Sequence, residues 1–197
     1  MNKRLQMLVE GGIMAAIAMV LSYIPIELPN AAFDLSIGMI PILVYSIRWG
    51  AIPGVVCSTV WGLLHIVLGK VYMLSVLQVI FEYPFAFAFA GIGGIFAIKA
   101  KSSIFSKETG AHGKTVLWLS IAAFASAFAR WFWHFWAGVV IWAEYAPKGV
   151  SPFIYSLIVN GASFLANGVM LAVVLVILAN AAPVVFRTGV VQSANAK

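Results

Sequence analysis

The chain alternates between long apolar runs and short polar segments. The apolar runs cover residues 5–26, 37–47, 51–68, 74–98, 115–141 and 153–182. A bilayer core is about 30 Å thick, and a helix needs about 20 apolar residues to cross it. Five of the runs approach or exceed this length, whereas the run at 37–47 has only 11 residues. The pattern predicts an all-α integral membrane protein in which residues 1–197 form six transmembrane helices in a single bundle.

Composition supports a membrane location. Residues of the AVILMFWYC set make up 63% of the chain and charged residues 9%, and the mean hydropathy is +1.02. An ordinary soluble domain is about 45–50% apolar and about 25% charged. So few charges cannot cover a soluble surface, which excludes a cytosolic enzyme, a nucleic-acid-binding protein and a disordered chain. A single cysteine, Cys57, excludes an internal disulfide and a cysteine-based metal cluster.

The basic residues predict the orientation of the bundle. If both termini lie inside, nine lysines and arginines fall in inside segments and two in outside segments. Inside loops of membrane proteins carry the excess of lysine and arginine, so both termini should be cytoplasmic. The inside residues are Lys3, Arg4, Arg48, Lys99, Lys101, Lys107, Lys114, Arg187 and Lys197, and the outside ones are Lys70 and Lys148.

Two charged residues, Glu82 and Arg130, lie deep within apolar runs. A charge at the centre of a bilayer costs ~2.5–3.5 kcal/mol by insertion measurements, so each of them requires a partner, a cavity or a ligand. One hypothesis is an ion pair between Glu82 and Arg130 that joins two helices. The other is a ligand pocket to which both side chains contribute.

The neighbours of these charges favour a pocket. Tyr83 and Pro84 follow the acid, and Pro84 frees a backbone carbonyl, which a membrane helix tolerates best beside a polar cavity. His134 lies four residues after Arg130 on the same helical face, and Gly138 continues that stripe and leaves room. The last apolar run adds a ridge of polar residues at helical spacing, Ser156, Asn160, Ser163 and Asn167.

Tryptophans are concentrated in the same region. Four of the seven fall between residues 131 and 142. Three of these, Trp131, Trp133 and Trp136, lie in the same helical turns as Arg130 and His134. A belt of tryptophans at the membrane interface therefore explains them poorly. Trp142 fits either a belt or a binding face. Stacked aromatics with an acid, a base and a histidine suit a flat heterocycle that is cationic or forms hydrogen bonds.

Two further classes of function use the same residues. An integral-membrane enzyme could employ Glu82 and His134 as base and acid, although the chain contains no HExxH, GxSxG or Gly-rich phosphate-loop motif. A purely structural membrane subunit would bind no small molecule. A metal would find too few ligands. The first apolar run presents Gly12 and Ala16 at small-xxx-small spacing, either for a partner subunit or for packing within the bundle.

Several short runs carry a family resemblance. In and after the fifth apolar run they are Arg130-Trp-Phe-Trp-His134-Phe-Trp-Ala-Gly138, Trp142, Ala146-Pro-Lys-Gly149, Tyr155-Ser-Leu and Asn160-Gly. Earlier in the chain they are Trp61-Gly, Gly69-Lys-Val-Tyr72 and Phe81-Glu82-Tyr83. As a set, over nearly the whole chain, they resemble the thiamin-specific substrate-binding (S) component of energy-coupling-factor (ECF) vitamin transporters.

The resemblance implies a function and a set of ligand contacts. The chain would bind extracellular thiamin with high affinity and would not be an enzyme. Glu82 would face the cationic ligand, and His134 and Trp142 would sandwich its rings. The remaining contacts would be Arg130, Tyr155 and Asn160 at the aminopyrimidine, Tyr72 and Tyr83 at the hydroxyethyl and thiazolium side, and Gly138 as a point of close approach.

The resemblance also implies partners and a location. Gly12 and Ala16 would dock against a transmembrane coupling subunit, which acts together with two ATPases in a bacterial plasma membrane. Thiamin would be the transported ligand, with no cofactor or metal. Some relatives close the pocket with a tryptophan of the first outside loop, whereas residues 29–34 contain none, and Phe33 is the candidate here. A related cationic vitamin or a thiamin precursor is the alternative ligand.

Overall fold

The computed structural model of the protein describes residues 2–24, 26 and 33–188. Within these residues the chain forms six helices and no strand element, which confirms the predicted all-α class and the helix count. The helices are α1 (Lys3–Leu21), α2 (Met39–Trp49), α3 (Ala51–Val67), α4 (Val76–Ile104), α5 (Ala111–Val140) and α6 (Pro152–Ala181). Short 3-10 turns follow α5 at Ala143–Tyr145 and α6 at Pro183–Phe186.

Four of the helices, α1, α4, α5 and α6, are long and apolar enough to cross a membrane. The apolar runs overestimate α1, which ends at Leu21 rather than at residue 26, and underestimate α4, which continues to Ile104 rather than residue 98. The remaining helix ends lie within about four residues of the ends of the corresponding apolar runs. The single-domain organisation and the position of each span in a bilayer stay predictions.

The short helix α2 occupies the centre of the bundle. Its 11 residues extend only about 16 Å at 1.5 Å per residue, roughly half of a bilayer core. Met39 and every residue from 41 to 47 are buried. A helix that is covered on all sides needs apolar residues on every face, which explains why this run shows no polar stripe. Gly50, at a φ of 100°, then turns the chain directly into α3.

Helix α4 changes its winding twice. A π-helical turn covers Phe81–Phe85 and contains Pro84, and a 3-10 segment covers Phe89–Phe96. Proline has no backbone N–H to donate within a helix, and π turns inside helices are frequent at functional sites. The π turn holds Glu82 and Tyr83, so the irregular part of α4 carries the acid that the sequence singled out.

Side chains of neighbouring helices satisfy the backbone of α4. The Ser58 hydroxyl of α3 donates to the carbonyl oxygen of Phe87, and the N–H of Gly93 donates to Ser126 Oγ of α5 at 3.0 Å. In an apolar solvent each unpaired backbone group would cost several kcal/mol. The irregular winding of α4 is therefore possible only because α3 and α5 supply these partners.

A network of polar side chains ties α1 to α2 at the end of the bundle that holds the N terminus. The carboxylate of Glu10 accepts from Arg48 Nε at 2.7 Å, from Arg48 Nη2 at 2.8 Å and from Trp49 Nε1 at 2.6 Å. Arg48 Nη1 donates to the carbonyl oxygens of Val184 and Val185 at 3.3 and 3.2 Å. The paired charges of Glu10 and Arg48 compensate each other where the chain enters its apolar run.

The close contact between the backbones of α3 and α4 predicts that Gly91 does not tolerate a larger side chain. A Cβ added at Gly91 would collide with the backbone of Gly54 and Val55, whereas a Cβ at Gly161 of α6 would meet no described atom within 4 Å. We expect Gly91→Ala to destabilise the protein by about 1–3 kcal/mol, because the two backbones must separate. The measurement is the thermal unfolding midpoint in detergent. Gly161→Ala is the control, and equal midpoints for the two variants would contradict the contact.

Candidate ligand-binding site

A cavity of about 540 Å³ lies at the end of the bundle opposite the N terminus. It is enclosed by the C-terminal parts of α1, α3 and α5 and the N-terminal parts of α2, α4 and α6. All nine ligand-contact residues predicted from the sequence line it, namely Tyr72, Glu82, Tyr83, Arg130, His134, Gly138, Trp142, Tyr155 and Asn160. Their contacts with a ligand stay predictions.

The carboxylate of Glu82 is held by the side chains of Trp142 and Gln78 and lies close to His134. Its Oε1 accepts from Trp142 Nε1 at 2.9 Å and lies 3.8 Å from His134 Nδ1, and its Oε2 accepts from Gln78 Nε2. The side chain is only 12% exposed. No described lysine or arginine forms an ion pair with Glu82. The cavity therefore presents a fixed carboxylate with hydrogen bonds and a histidine nearby, but with no described lysine or arginine paired to it.

Arg130 has a different partner from the one considered in the sequence. Its Nη2 lies 3.3 Å from the Oδ2 of Asp34, and its guanidinium lies over the ring of Phe87 at 4.4 Å and that of Trp61 at 5.6 Å. The side chain is buried, and its Nε has no partner in the described part of the chain. The hypothesis of a Glu82–Arg130 ion pair is therefore wrong, and the two charges serve separate parts of the cavity.

The segment before α2 is fixed to α6 by the polar ridge. The N–H of Asp34 donates to Ser163 Oγ at 3.1 Å, and Asn167 Nδ2 donates to the carbonyl oxygen of Asp34 at 2.6 Å. Asn167 Oδ1 also accepts from the N–H of Ser36 at 2.9 Å. With Arg130 on its carboxylate, Asp34 is held through its backbone and its side chain. Half of the ridge thus anchors this segment across one wall of the cavity.

The other half of the ridge packs against α5. Ser156 Oγ donates to the carbonyl oxygen of Phe135 at 2.7 Å and accepts from Asn160 Nδ2 at 3.1 Å. A Cβ at Gly138 would fall on Ser156 Oγ and lie 3.0 Å from Ser156 Cβ. The glycine was expected to make room for a ligand, but the space beside its Cα is filled by α6. Gly138 therefore permits close contact of two helices, in addition to lining the cavity.

Aromatic rings surround the carboxylate. The rings of Tyr72 and Trp142 lie 5.3 Å apart, those of Trp142 and Tyr145 lie 5.2 Å apart, and Tyr83 accepts the N–H of Tyr72 on its hydroxyl at 2.9 Å. His134 and Trp142 both approach Glu82 Oε1 from the cavity wall. A flat cation could therefore meet the carboxylate and a ring face together.

The three other tryptophans of this region have different surroundings. Trp131 lines the cavity, and its Nε1 has no partner among the described residues. Trp133 packs instead against Phe81, Phe85 and Phe89 of α4, and Trp136 is 41% exposed on the outside of the bundle. Of these three tryptophans only Trp131 lines the cavity, because side chains at successive positions of a helix point in different directions.

Sequence reasoning missed several residues of the cavity. Asp34 was treated as a loop charge, and its pairing with Arg130 joins positions 96 residues apart. Gln78 does not line the cavity itself but donates to Glu82 from four residues earlier, a helical spacing that could have identified it. His65 lines the cavity as well. Phe33, proposed as a lid, is not among the lining residues, and residues 29–32 of that loop lie outside the described residues.

Comparisons with known proteins identify the family. The sequence model of the family described as "Thiamine transporter protein" (Thia_YuaJ) matches residues 8–187. The chain belongs to this family. Two curated relatives named thiamine transporter ThiT are similar to it. The one from Lacticaseibacillus paracasei is 41% identical over 189 residues, covering 94% of this chain and 92% of the relative. The one from Bacillus subtilis is 32% identical over 185 residues, covering 92% and 94%.

A solved structure supports the same assignment. The structure of ThiT from Listeria monocytogenes matches with a TM-score of 0.89 at 37% sequence identity and covers 95% of this chain and all of that chain. The resemblance inferred from the sequence is thus confirmed at the level of the thiamine transporter family. Because this is a family of transporters, the prediction that the chain is not an enzyme is confirmed, and the catalytic interpretation of Glu82 and His134 falls away.

The contact between α5 and α6 in this member of the thiamine transporter family generates a prediction. We expect Gly138→Ala to lower the free energy of unfolding by about 1–3 kcal/mol, because its Cβ overlaps Ser156. Ser156→Gly removes the overlapping atoms, so the double variant should be more stable than the sum of the two single effects predicts. Thermal unfolding of all three variants in detergent measures this coupling. Strict additivity would show that the two residues do not compete for one space.

Proposed function

We propose that this protein is the high-affinity thiamin-binding subunit of an ECF-type vitamin importer. The observation that carries the proposal is the carboxylate of Glu82, enclosed among aromatic rings and bonded only to neutral donors and His134. Thiamin combines a permanently cationic thiazolium with a flat aminopyrimidine, and its positive charge suits a carboxylate that no described lysine or arginine pairs. Membership of the thiamine transporter family supports the same ligand.

The cationic part of thiamin binds near Glu82. Removing the thiazolium from water is unfavourable unless the site provides an opposite charge and ring faces, and Glu82, His134 and Trp142 provide both. His134 and Trp142 sandwich the ligand rings, while Tyr72 and Tyr83 lie at the hydroxyethyl and thiazolium side. The hydrogen bonds from Trp142 and Gln78 orient the carboxylate before the ligand arrives, which reduces the cost of ordering it on binding.

The aminopyrimidine binds at the opposite side of the cavity. Its ring nitrogens accept hydrogen bonds, and Arg130, Tyr155 and Asn160 offer donors there. The Nε of Arg130 is buried without a partner in the described residues, which supports a ligand acceptor nearby. Gly138 lines the cavity, so the ligand approaches the α5 backbone there even though Ser156 occupies the Cβ position of this glycine.

Transport requires partners in the membrane. With both termini cytoplasmic the cavity faces the outside of the bacterial plasma membrane, where it captures thiamin. The sequence has no nucleotide-binding motif, so inward delivery depends on an energy-coupling module of a transmembrane coupling subunit and two ATPases. Gly12 and Ala16 of α1 are exposed, and no described atom lies within 4 Å of a Cβ at Gly12. This small-residue face contacts the coupling subunit.

A neighbouring ligand class is a thiamin precursor or a related cationic vitamin. A related cationic vitamin would supply a charge for Glu82 without filling the aminopyrimidine side. The pyrimidine or thiazole half of thiamin would fill one side of the cavity but lacks the permanent charge of the thiazolium. The test is tryptophan fluorescence of the purified protein titrated with thiamin, followed by competition with its precursors. Saturable quenching at one equivalent, with weaker competition by each precursor, is the expected result. A precursor that binds more tightly than thiamin would reassign the substrate.

The charge of Glu82 should dominate the affinity. We expect Glu82→Gln to weaken thiamin binding about tenfold or more, because the amide keeps the shape and the hydrogen bond from Trp142 but loses the negative charge. The dissociation constant is measured by the same fluorescence titration.

The matched control for this charge change is Glu144→Gln. Glu144 lies at the same end of the bundle, is exposed and does not line the cavity. This variant should bind thiamin like the unmodified protein. Equal losses in the two variants would mean that long-range attraction, and not the contact with Glu82, determines the affinity.

The exposed face of α1 should matter for uptake and not for binding. We expect Gly12→Trp to bind thiamin with unchanged affinity in purified form and to abolish thiamin uptake by cells that also produce the energy-coupling module, because the indole blocks close helix contact. Val173→Trp, at an exposed position of α6, is the control and should preserve uptake. Lost binding in the Gly12 variant would show that this face packs within the bundle.

A further inference from the structure

His65 is a second histidine of the cavity, and its ring is fixed on several sides. It lies in α3, is only 5% exposed and lines the cavity. Its ring packs edge-on against Trp61 and Phe87 at centroid distances of 5.5 and 4.8 Å, and against Tyr83 at 5.9 Å. Such contacts hold the imidazole in one orientation whether or not a ligand is present.

One hydrogen bond determines which ring nitrogen of His65 carries the proton. The Nδ1 atom lies 3.0 Å from the carbonyl oxygen of Trp61. A carbonyl oxygen can only accept, so Nδ1 must donate its hydrogen. In the neutral ring the Nε2 atom then has a free lone pair. No described residue forms a hydrogen bond with Nε2, which leaves this acceptor available to the cavity.

The guanidinium of Arg130 shares an aromatic neighbour and the cavity with His65. The guanidinium of Arg130 lies over the ring of Phe87 at 4.4 Å, and the imidazole of His65 packs against the same ring. One aromatic side chain thus contacts both a cationic donor and a neutral acceptor of the cavity lining. An aminopyrimidine edge has the complementary pair, a ring nitrogen that accepts next to an exocyclic amine that donates.

We infer that His65 determines specificity by accepting, on Nε2, a hydrogen bond from the 4-amino group of the bound aminopyrimidine. The inference rests on the proposed function and adds a contact and a role for a residue that it does not use. A ligand without the amine leaves the Nε2 lone pair unpaired in a buried place, which is costly, so the site rejects such a ligand.

Three variants separate the two nitrogens of the ring. Gln places an amide oxygen close to the position of Nε2, Asn places its amide close to the position of Nδ1, and Phe keeps only the ring shape. We expect His65→Gln to bind thiamin within about threefold of the unmodified protein, and His65→Asn and His65→Phe to bind about tenfold or more weakly. Isothermal titration calorimetry of the full chain in detergent gives the affinities, and thermal unfolding confirms that each variant is folded. Retained affinity in Asn with loss in Gln would overturn the inference in favour of a structural role at Trp61.

A pair of ligand analogues tests which donor is recognised. Thiamin without the 4-amino group should bind the unmodified protein about tenfold or more weakly than thiamin, and this penalty should fall below about twofold in His65→Phe. Thiamin with ethyl in place of hydroxyethyl should show the same penalty in both proteins. The inference is overturned if removal of the 4-amino group costs the same affinity in the unmodified protein and in His65→Phe. It is also overturned if His65→Phe abolishes only the loss of affinity caused by removing the hydroxyl group.

The two proposals fail in different ways. If thiamin does not bind the folded, unmodified protein, the proposed function is overturned and the role of His65 with it. If thiamin binds the unmodified protein and the His65→Phe variant equally well, the inference about His65 alone is overturned.

Discussion

The cost of a charge within an apolar bundle governs the arrangement of this protein. A carboxylate or guanidinium removed from water must find an opposite charge or several hydrogen bonds. Glu10 finds Arg48, and Arg130 finds Asp34. Glu82 receives hydrogen bonds from Trp142 and Gln78. Each of these contacts joins different parts of the chain or stiffens a helix, so the charges fix the architecture as much as the apolar contacts do.

The irregular helix α4 is the second element on which the site depends. Its π turn at Phe81–Phe85 positions the acid at the cavity wall, and its glycine-rich 3-10 segment packs backbone to backbone against α3 at Gly54 and Gly91. A regular helix would satisfy its own backbone, whereas this one takes donors and acceptors from Ser58 and Ser126. The two neighbouring helices thereby supply hydrogen-bond partners to the backbone of the irregular segment.

The sequence predicts the helices and the charged centres of the site well, since apolar runs and isolated charges are local signals. It does not predict partners that the fold brings together from distant positions. Glu82 and Arg130 were identified by their charge. The hypothesis that they form one ion pair, which was weighed against a ligand pocket, is wrong because Arg130 pairs with Asp34, which lies before α2. Gly138 was identified by its spacing, but the side chain that fills its space, Ser156, belongs to another helix. The periodicity of a sequence predicts which face of a helix a residue occupies. It does not predict which residue of another helix or loop packs against that face.

The distribution of charge partners explains why the cavity suits a cation. Arg130 and Asp34 are paired in one part of the cavity, so that part offers polar atoms without a large net charge. Glu82, in the other part, has donors that stabilise the carboxylate but do not neutralise it. A lysine beside Glu82 would hinder the binding of a cation, because the ion pair between the lysine and Glu82 would have to break before the ligand could bind. The hydrogen bonds from Trp142 and Gln78 carry no positive charge, so the same contacts that make Glu82 tolerable in the bundle also leave it suited to a positively charged ligand.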